Sequence, residues 1–270
     1  MPAGRLRRSR RASRHLGAAI AIATTLVVKS GRAVDRFEIE VYDGSANAPG
    51  DVSLENHVNF VDRGRSVAVG ALAPTEHQAH WTFEGALGAT PIWEPGIYLQ
   101  TALVPDRGFA FAGVKLRSKF VTPRTFSKTV TLGANFELSD VPAEFEDSRF
   151  SIEMRPIFAL DLPVVLFAIN PILSVPLSRN ASSGPELEPA ISLKGRLSAR
   201  ADLGIEYYAG LGPLGNPLPA SQEDQYVYFA GDWVLGGGFD LNLGVGAGLD
   251  CGSDPLSLKA ILAYDFGRIW

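Results

Sequence analysis

The chain has 270 residues, with 25 Lys and Arg, 29 Asp and Glu, and a formal net charge of −4. Eight of the basic residues and none of the acidic ones fall in the first 33 positions, so the rest carries 17 basic and 29 acidic residues, a net of −12. An acidic body of this kind argues against a nucleic-acid partner, which needs a basic face, and the lone Cys251 rules out an internal disulfide or a thiolate metal cluster.

The N-terminus has the three-part layout of a secretory signal peptide. Arg5, Arg7, Arg8, Arg10, Arg11 and Arg14 form a basic region, Leu16–Val28 is uncharged, and Gly31-Arg32-Ala33 is a small-x-small cleavage site. Residues 1–33 are therefore expected to be removed on export. The uncharged run is too short to cross a bilayer as a helix, which takes roughly 20 apolar residues. Later in the chain the most apolar stretch, Leu160–Leu177, is interrupted by Asp161, Pro163, Asn170, Pro171 and Pro176.

What recurs along the remainder is alternation with a period of two, the mark of strands with one apolar face. Thirteen stretches show it: 37–43, 52–61, 78–87, 96–104, 109–121, 128–139, 149–160, 164–177, 185–199, 202–211, 223–235, 238–249 and 255–266. In 109–121, Ala110, Ala112, Val114, Leu116 and Phe120 are expected on one face and Lys115, Arg117 and Lys119 on the other. In 128–139, Leu132, Phe136 and Leu138 oppose Asn135, Glu137 and Ser139. In 185–199, Leu187, Ile191, Leu193 and Leu197 oppose Glu186, Glu188, Ser192, Lys194 and Arg196. The last two stretches alternate Leu241, Leu243 and Val245, then Leu258, Leu262, Tyr264 and Phe266.

Strands that cross a bilayer need about 9–11 residues, against about 5–6 in soluble sheets. These lengths favour an all-β fold, a transmembrane antiparallel up-and-down barrel, over a soluble sandwich or lipocalin-like barrel. In the second half short turns alternate with longer connections, as between the two rims of an outer-membrane barrel. Counting back from the last strand makes 52–61 the first. The expectation is a barrel of about twelve strands over 52–270, preceded by a segment, 34–51, that lies in the lumen or lengthens the sheet. Tyr98, Tyr207, Tyr226, Tyr228, Trp81, Trp93, Trp233 and Tyr264 are expected near the strand ends as aromatic girdles.

Phe37-Glu-Ile-Glu-Val-Tyr-Asp-Gly-Ser-Ala-Asn-Ala-Pro-Gly50 resembles the opening of a family of proteobacterial outer-membrane proteins. The likeness continues in Leu54-Glu-Asn-His-Val-Asn59, in Gly113–Phe120, in Glu153-Met-Arg-Pro156, in Ala168-Ile-Asn-Pro171 and in Gly204-Ile-Glu-Tyr-Tyr208. It covers nearly all of the chain after residue 33 and implies an outer-membrane barrel, with no substrate or catalytic residue attached. More distantly, the chain is similar to barrels linked to uptake of aromatic compounds, in architecture and without a shared functional motif. The ending Tyr264-Asp-Phe-Gly-Arg-Ile-Trp270 resembles the aromatic-terminated strand read by the barrel-assembly machinery.

Function then rests with the residues that face the lumen: Lys115, Arg117 and Lys119 as a basic ladder, Glu137, Glu153 with Arg155, Glu186, Glu188, Lys194 and Arg196, and His57 and His80 beside Glu55 and Glu84. They can form a salt-bridged polar core or a charged eyelet that selects solutes. No Gly-x-Ser-x-Gly nucleophile motif, P-loop or sufficient metal-ligand set accompanies the histidines. The expected function is a narrow passive channel for small solutes in the bacterial outer membrane, with lipids and the assembly machinery as partners and no cofactor. The alternatives are a non-conducting structural or surface-interaction barrel and, as a minor one, an outer-membrane lipid hydrolase.

Overall fold

A computed structural model describes residues 35–178, 184–220 and 222–269. The expected signal segment, residues 1–33, and the terminal Trp270 lie outside these residues. Twelve antiparallel strands follow one another: β1 (Asp51–Arg63), β2 (Ala79–Leu87), β3 (Trp93–Val104), β4 (Gly108–Val121), β5 (Val130–Asp140), β6 (Phe150–Asp161), β7 (Val165–Pro176), β8 (Glu186–Ser198), β9 (Ala201–Gly210), β10 (Asp224–Gly236), β11 (Phe239–Gly248) and β12 (Leu256–Arg268). Each pairs with its neighbours in sequence, and β1 pairs with β12, so the sheet is a closed barrel.

The alternation explains which way the strands face. On β5, Leu132, Phe136 and Leu138 are 41–47% exposed while Asn135, Glu137 and Ser139 are buried. On β12, Leu258 and Leu262 face out and Ser257 and Lys259 face in. The protein thus has large apolar side chains outside and a lumen filled with polar and charged groups.

One strand departs from the simple alternation. At β4 the pairing register with β3 slips, so that Gln100 faces Gly113 while Thr101 faces Phe111. Ala112 is the extra residue of a bulge. Gly113 sits at φ +129°, and a Cβ there would lie 2.5 Å from the Asp140 carbonyl oxygen, so only glycine fits. The bulge inverts the parity of the strand. Phe109 and Phe111 point outward, and Ala112 is fully buried in the lumen. This corrects the expectation that Ala110 and Ala112 share the outer face of Val114, Leu116 and Phe120. Lys115, Arg117 and Lys119 still point inward.

Phe37–Asp43 forms no strand. A closed barrel has no edge for it to join. Residues 35–50 instead run through the lumen, and wall side chains satisfy their backbone. Asn170 accepts from the Tyr42 N–H at 2.7 Å and donates to the Tyr42 carbonyl at 3.0 Å. Asn59 donates to the Arg36 carbonyl, Lys259 to that of Ile39 and Lys119 to that of Ser45. Phe37 packs edge-on against His80 and Phe145 at the end of the barrel that carries the longer loops. The Gly50 N–H donates to the Gly88 carbonyl at the opposite end, which carries the short turns 162–164, 199–200 and 237–238. The pattern of short and long connections fails in the first half, where three residues link β3 to β4 at the loop end.

The aromatic residues divide differently from the expected girdles. Trp81 and Trp93 are about 40% exposed on the outside, but Tyr98, Tyr226 and Tyr228 are buried in the lumen. Each of those three hydroxyls has a partner there: Tyr42, the Asp254 N–H and Ser257, respectively. Strand parity turns these rings inward, and a buried phenol needs such a partner.

Candidate functional site: a lumen divided in two

One side of the lumen, β2 to β6, grips the N-terminal segment. Glu38 is its hub, with a fully buried side chain. The Tyr42 hydroxyl donates to it at 2.6 Å, and Lys115 Nζ and a terminal nitrogen of Arg155 lie 3.5 and 3.6 Å away. Lys115 also contacts Asp35 and reaches Glu137 at 3.2 Å. Arg155 Nε pairs with Glu153 at 2.8 Å. Arg117 bridges Glu84 and Glu94 at 3.0 and 2.6 Å, and Lys119 reaches Glu94 at 2.7 Å. The Tyr42 ring sits among the same cations, with Arg155 Cζ 4.3 Å and Lys119 Nζ 5.5 Å from its centroid. The ladder expected from sequence is therefore brought together with Glu137, Glu153 and Arg155. It is neutralised by wall acids and by the segment itself. Breaking any such buried pair would cost several kcal/mol.

The other side, β8 to β10 and β12, carries a second cluster. Glu206 lies between Lys194 Nζ at 2.9 Å and Lys259 Nζ at 2.5 Å, and Lys194 also pairs with Asp232 at 2.6 Å. Arg196 is more exposed, at the turn end, with Asp161 and Asp202 at 2.8 and 3.4 Å. Glu186 and Glu188 are half-buried near the loop end of β8, opposite Ser174 and Ile172 of β7, several residues from Lys194. The sequence reading missed Glu38, Glu206 and Lys259. Lys259 had a signal, since it sits between the outward Leu258 and Ala260 on an alternating strand. Glu38 had none, because nothing in a strand-like stretch shows that all its faces will be covered.

His57 and His80 are buried on neighbouring strands, at positions paired with Thr82 and Asn59 respectively. His80 Nε2 is 2.9 Å from Gln78 Oε1. His57 Nε2 lies 3.5 Å from a carboxylate oxygen of both Glu55 and Glu84.

Between the segment and this second wall is a cavity of about 680 Å³, lined by Glu40, Glu55, Asp202, Asp232, Asp240 and Lys194 among others. Seven acidic and three basic side chains line it. A smaller cavity of about 220 Å³ adjoins it and shares Glu40, Glu55 and Asp240. Among the described residues the loop end is tighter, with voids of only about 30 and 10 Å³ beside Phe37 and Tyr228.

This geometry has counterparts in solved structures. An outer-membrane channel from Pseudomonas putida F1 matches with a TM-score of 0.58 at 12% identity, over 85% of this chain and all of that one. The NanC porin matches with a TM-score of 0.53 at 6% identity, over 79% of this chain and 98% of its own. The KdgM porin matches at 0.51 and 9%, over 79% and 99%. The chain has the fold of these outer-membrane barrels. No family model matches it, and no curated protein does.

The loop end is latched by charge. Arg36 Nε donates to Asp254 at 2.8 Å, and the Ala73 N–H donates to the Glu144 carbonyl of the neighbouring loop. Burial by itself would raise the Asp254 pKa. The Arg36 guanidinium, the Thr75 hydroxyl and the Arg65 charge outweigh it and hold the carboxyl below its ordinary value. A carboxylate with a depressed folded-state pKa stabilises the fold above its unfolded value, near 3.9, and loses that contribution as pH falls through the folded value. The protection of the residue 35–38 amides, corrected for the intrinsic pH dependence of exchange, is therefore expected to fall below about pH 4. Asp254→Asn should exchange quickly at neutral pH and lose this pH dependence. Unchanged protection across that range would show that the ion pair does not hold the segment.

Proposed function

We propose that this protein is a bacterial outer-membrane barrel that passes small solutes through a narrow, charge-lined lumen, held shut by residues 35–50. The observation that carries the reading is the division of the lumen. The β2–β6 wall grips the segment through ion pairs, while the other wall packs Ile39 and Val41 against Tyr208, Tyr226 and Tyr228 and, towards the turn end, lines an acidic cavity of about 680 Å³ that the segment leaves vacant. The strands, 9 to 14 residues long, suit a tilted bilayer crossing. The apolar outer belt suits contact with lipid. Export through residues 1–33, assembly through the C-terminal aromatic strand, and membership of the family whose opening resembles Phe37–Gly50 belong to the same proposal.

The acid excess in the cavity favours cations over anions. The purified protein is expected to sediment with outer membranes and to migrate faster on a gel unheated than boiled. In a planar bilayer it should give brief openings with a cation preference that weakens in Asp232→Asn with Asp240→Asn. Recovery in the soluble fraction without detergent would overturn the membrane reading. Silence from correctly folded protein would favour the structural barrel, a reading that the saturated ion pairs around Glu38 support. A lipid hydrolase is a poorer fit, because His57 and His80 are buried in the lumen, away from the outer belt.

A further inference from the structure

We propose that Glu40, Glu55 and His57 form a binding site for a divalent transition-metal cation that ties the N-terminal segment to β1. One ligand atom from each of the three residues lies within 4.8 Å of the others. Glu55 and His57 are two residues apart on β1, so both point into the lumen. Glu40 comes from the segment, which is why no sequence spacing reveals the set.

His57 points to a ligand independently of the acidic groups. Its side chain is fully buried, yet neither ring nitrogen has a hydrogen bond. Its Nε2 is 3.5 Å from oxygens of Glu55 and Glu84, beyond a good hydrogen bond. Ligand atoms bound tetrahedrally at about 2.0–2.1 Å from one metal stand roughly 3.3 Å apart, so small side-chain rotations close the set. The charges also match. Glu84 has Arg117 at 3.0 Å, whereas the Glu40 carboxylate has no Lys or Arg ion-pair partner among the described residues, Arg155 reaching only its backbone carbonyl. A dication would neutralise Glu40 and Glu55 together.

The donor set narrows the class of ion. One imidazole with two carboxylates suits zinc and its neighbours, while calcium and magnesium favour all-oxygen sites. Water or Glu84 can complete the coordination. Both Glu40 and Glu55 line the cavity described above, so an ion reaches them from the turn end. Binding would fasten the segment at its middle, independently of the Arg36–Asp254 latch and of whether the barrel conducts.

The test titrates zinc chloride into the folded, detergent-solubilised protein carrying Cys251→Ser, which removes the exposed thiol. One equivalent of zinc should bind and should not be displaced by a comparable concentration of calcium. Glu40→Gln and Glu55→Gln should each weaken zinc binding at least tenfold while retaining the heat-dependent gel shift. Zinc should also raise the unfolding temperature of the parent and not of Glu40→Gln. If Glu55→Gln fails to fold, Glu40→Gln decides alone, since it lies on the segment and not in the barrel wall. Absence of saturable zinc binding would overturn the proposal, leaving His57 packed beside Glu55 and Glu84 without a metal. Binding unchanged in the variants would also overturn it, by placing the zinc elsewhere, for example at His77.

Discussion

Replacing Glu206 with leucine is expected to destabilise the folded barrel by about 3–5 kcal/mol, the usual cost of leaving a buried charge without its partner. Glu206 on β9 joins Lys194 on the adjacent β8 to Lys259 on β12, so it ties distant parts of the wall across the lumen. In the variant Lys194 keeps Asp232, but Lys259 loses its carboxylate and keeps only the carbonyl of Ile39 and the face of the Tyr228 ring. An uncompensated ammonium would then remain at a position 3% exposed. Removing both charges with Glu206→Leu and Lys259→Met should recover most of the loss, because the penalty comes from the unpaired lysine. Arg196→Ala is the control. Its pairs are partly exposed at the turn end and should contribute less than about 1 kcal/mol. Denaturant unfolding of the three variants in the same detergent measures the differences. Equal losses for Glu206→Leu and Arg196→Ala would mean that water reaches Lys259 freely.

The strands were legible in the sequence because a closed barrel with apolar side chains outside and polar or charged ones inside enforces alternation along its regular strands. Leu132, Phe136 and Leu138 against Asn135 and Glu137 is such a pattern, and its length sets it apart from the shorter strands of soluble sheets. Legibility failed wherever the local rule was broken by something distant. On β4 the parity of Ala110 and Ala112 depends on a bulge at Gly113, and nothing local distinguishes that glycine from one in a regular strand. Phe37, Ile39 and Val41 alternate with Glu38 and Glu40 like a strand, but the closed sheet offers no edge. Wall side chains cover most of both faces, and Phe37, Glu38, Ile39, Val41 and Tyr42 are all buried, with Glu40 left at the cavity.

The candidate site was legible by residue type and not by arrangement. Lys115, Arg117 and Lys119 do face the lumen, as spacing requires. Asp35 and Glu38 come from the segment, and pairing across a lumen leaves no trace in sequence distance; Glu94 stands directly beside Lys119 on the adjacent β3, but it falls outside the alternating stretch 96–104. The same holds for the tyrosines. Near strand ends they read as girdle residues, yet strand parity turns Tyr98 and Tyr228 inward, where Tyr42 and Ser257 supply partners for their hydroxyls.

The second large effect concerns the segment. Removing residues 35–47 leaves β1 and its pairing with β12 and β2 intact, since that register begins at Asp51 and Val52. It removes the Glu38 hub, the Tyr42–Asn170 contacts and the Arg36–Asp254 latch. Lys115 would keep Glu137, and Arg155 would keep Glu153. Water filling the vacated lumen would solvate the rest, so the barrel should still fold and show the heat-dependent gel shift. A twelve-stranded wall is wider than the roughly eight-stranded barrel that side chains alone can fill, so removing the segment should open a continuous passage. Single-channel conductance of this deletion beside that of the chain from residue 34 onward decides whether the segment closes the lumen. Long-lived open states in the deletion, several-fold larger in conductance than the brief openings of the intact protein, are the expected result. Equal conductance in the two, or silence from a folded deletion, would contradict the account that residues 35–50 close the lumen.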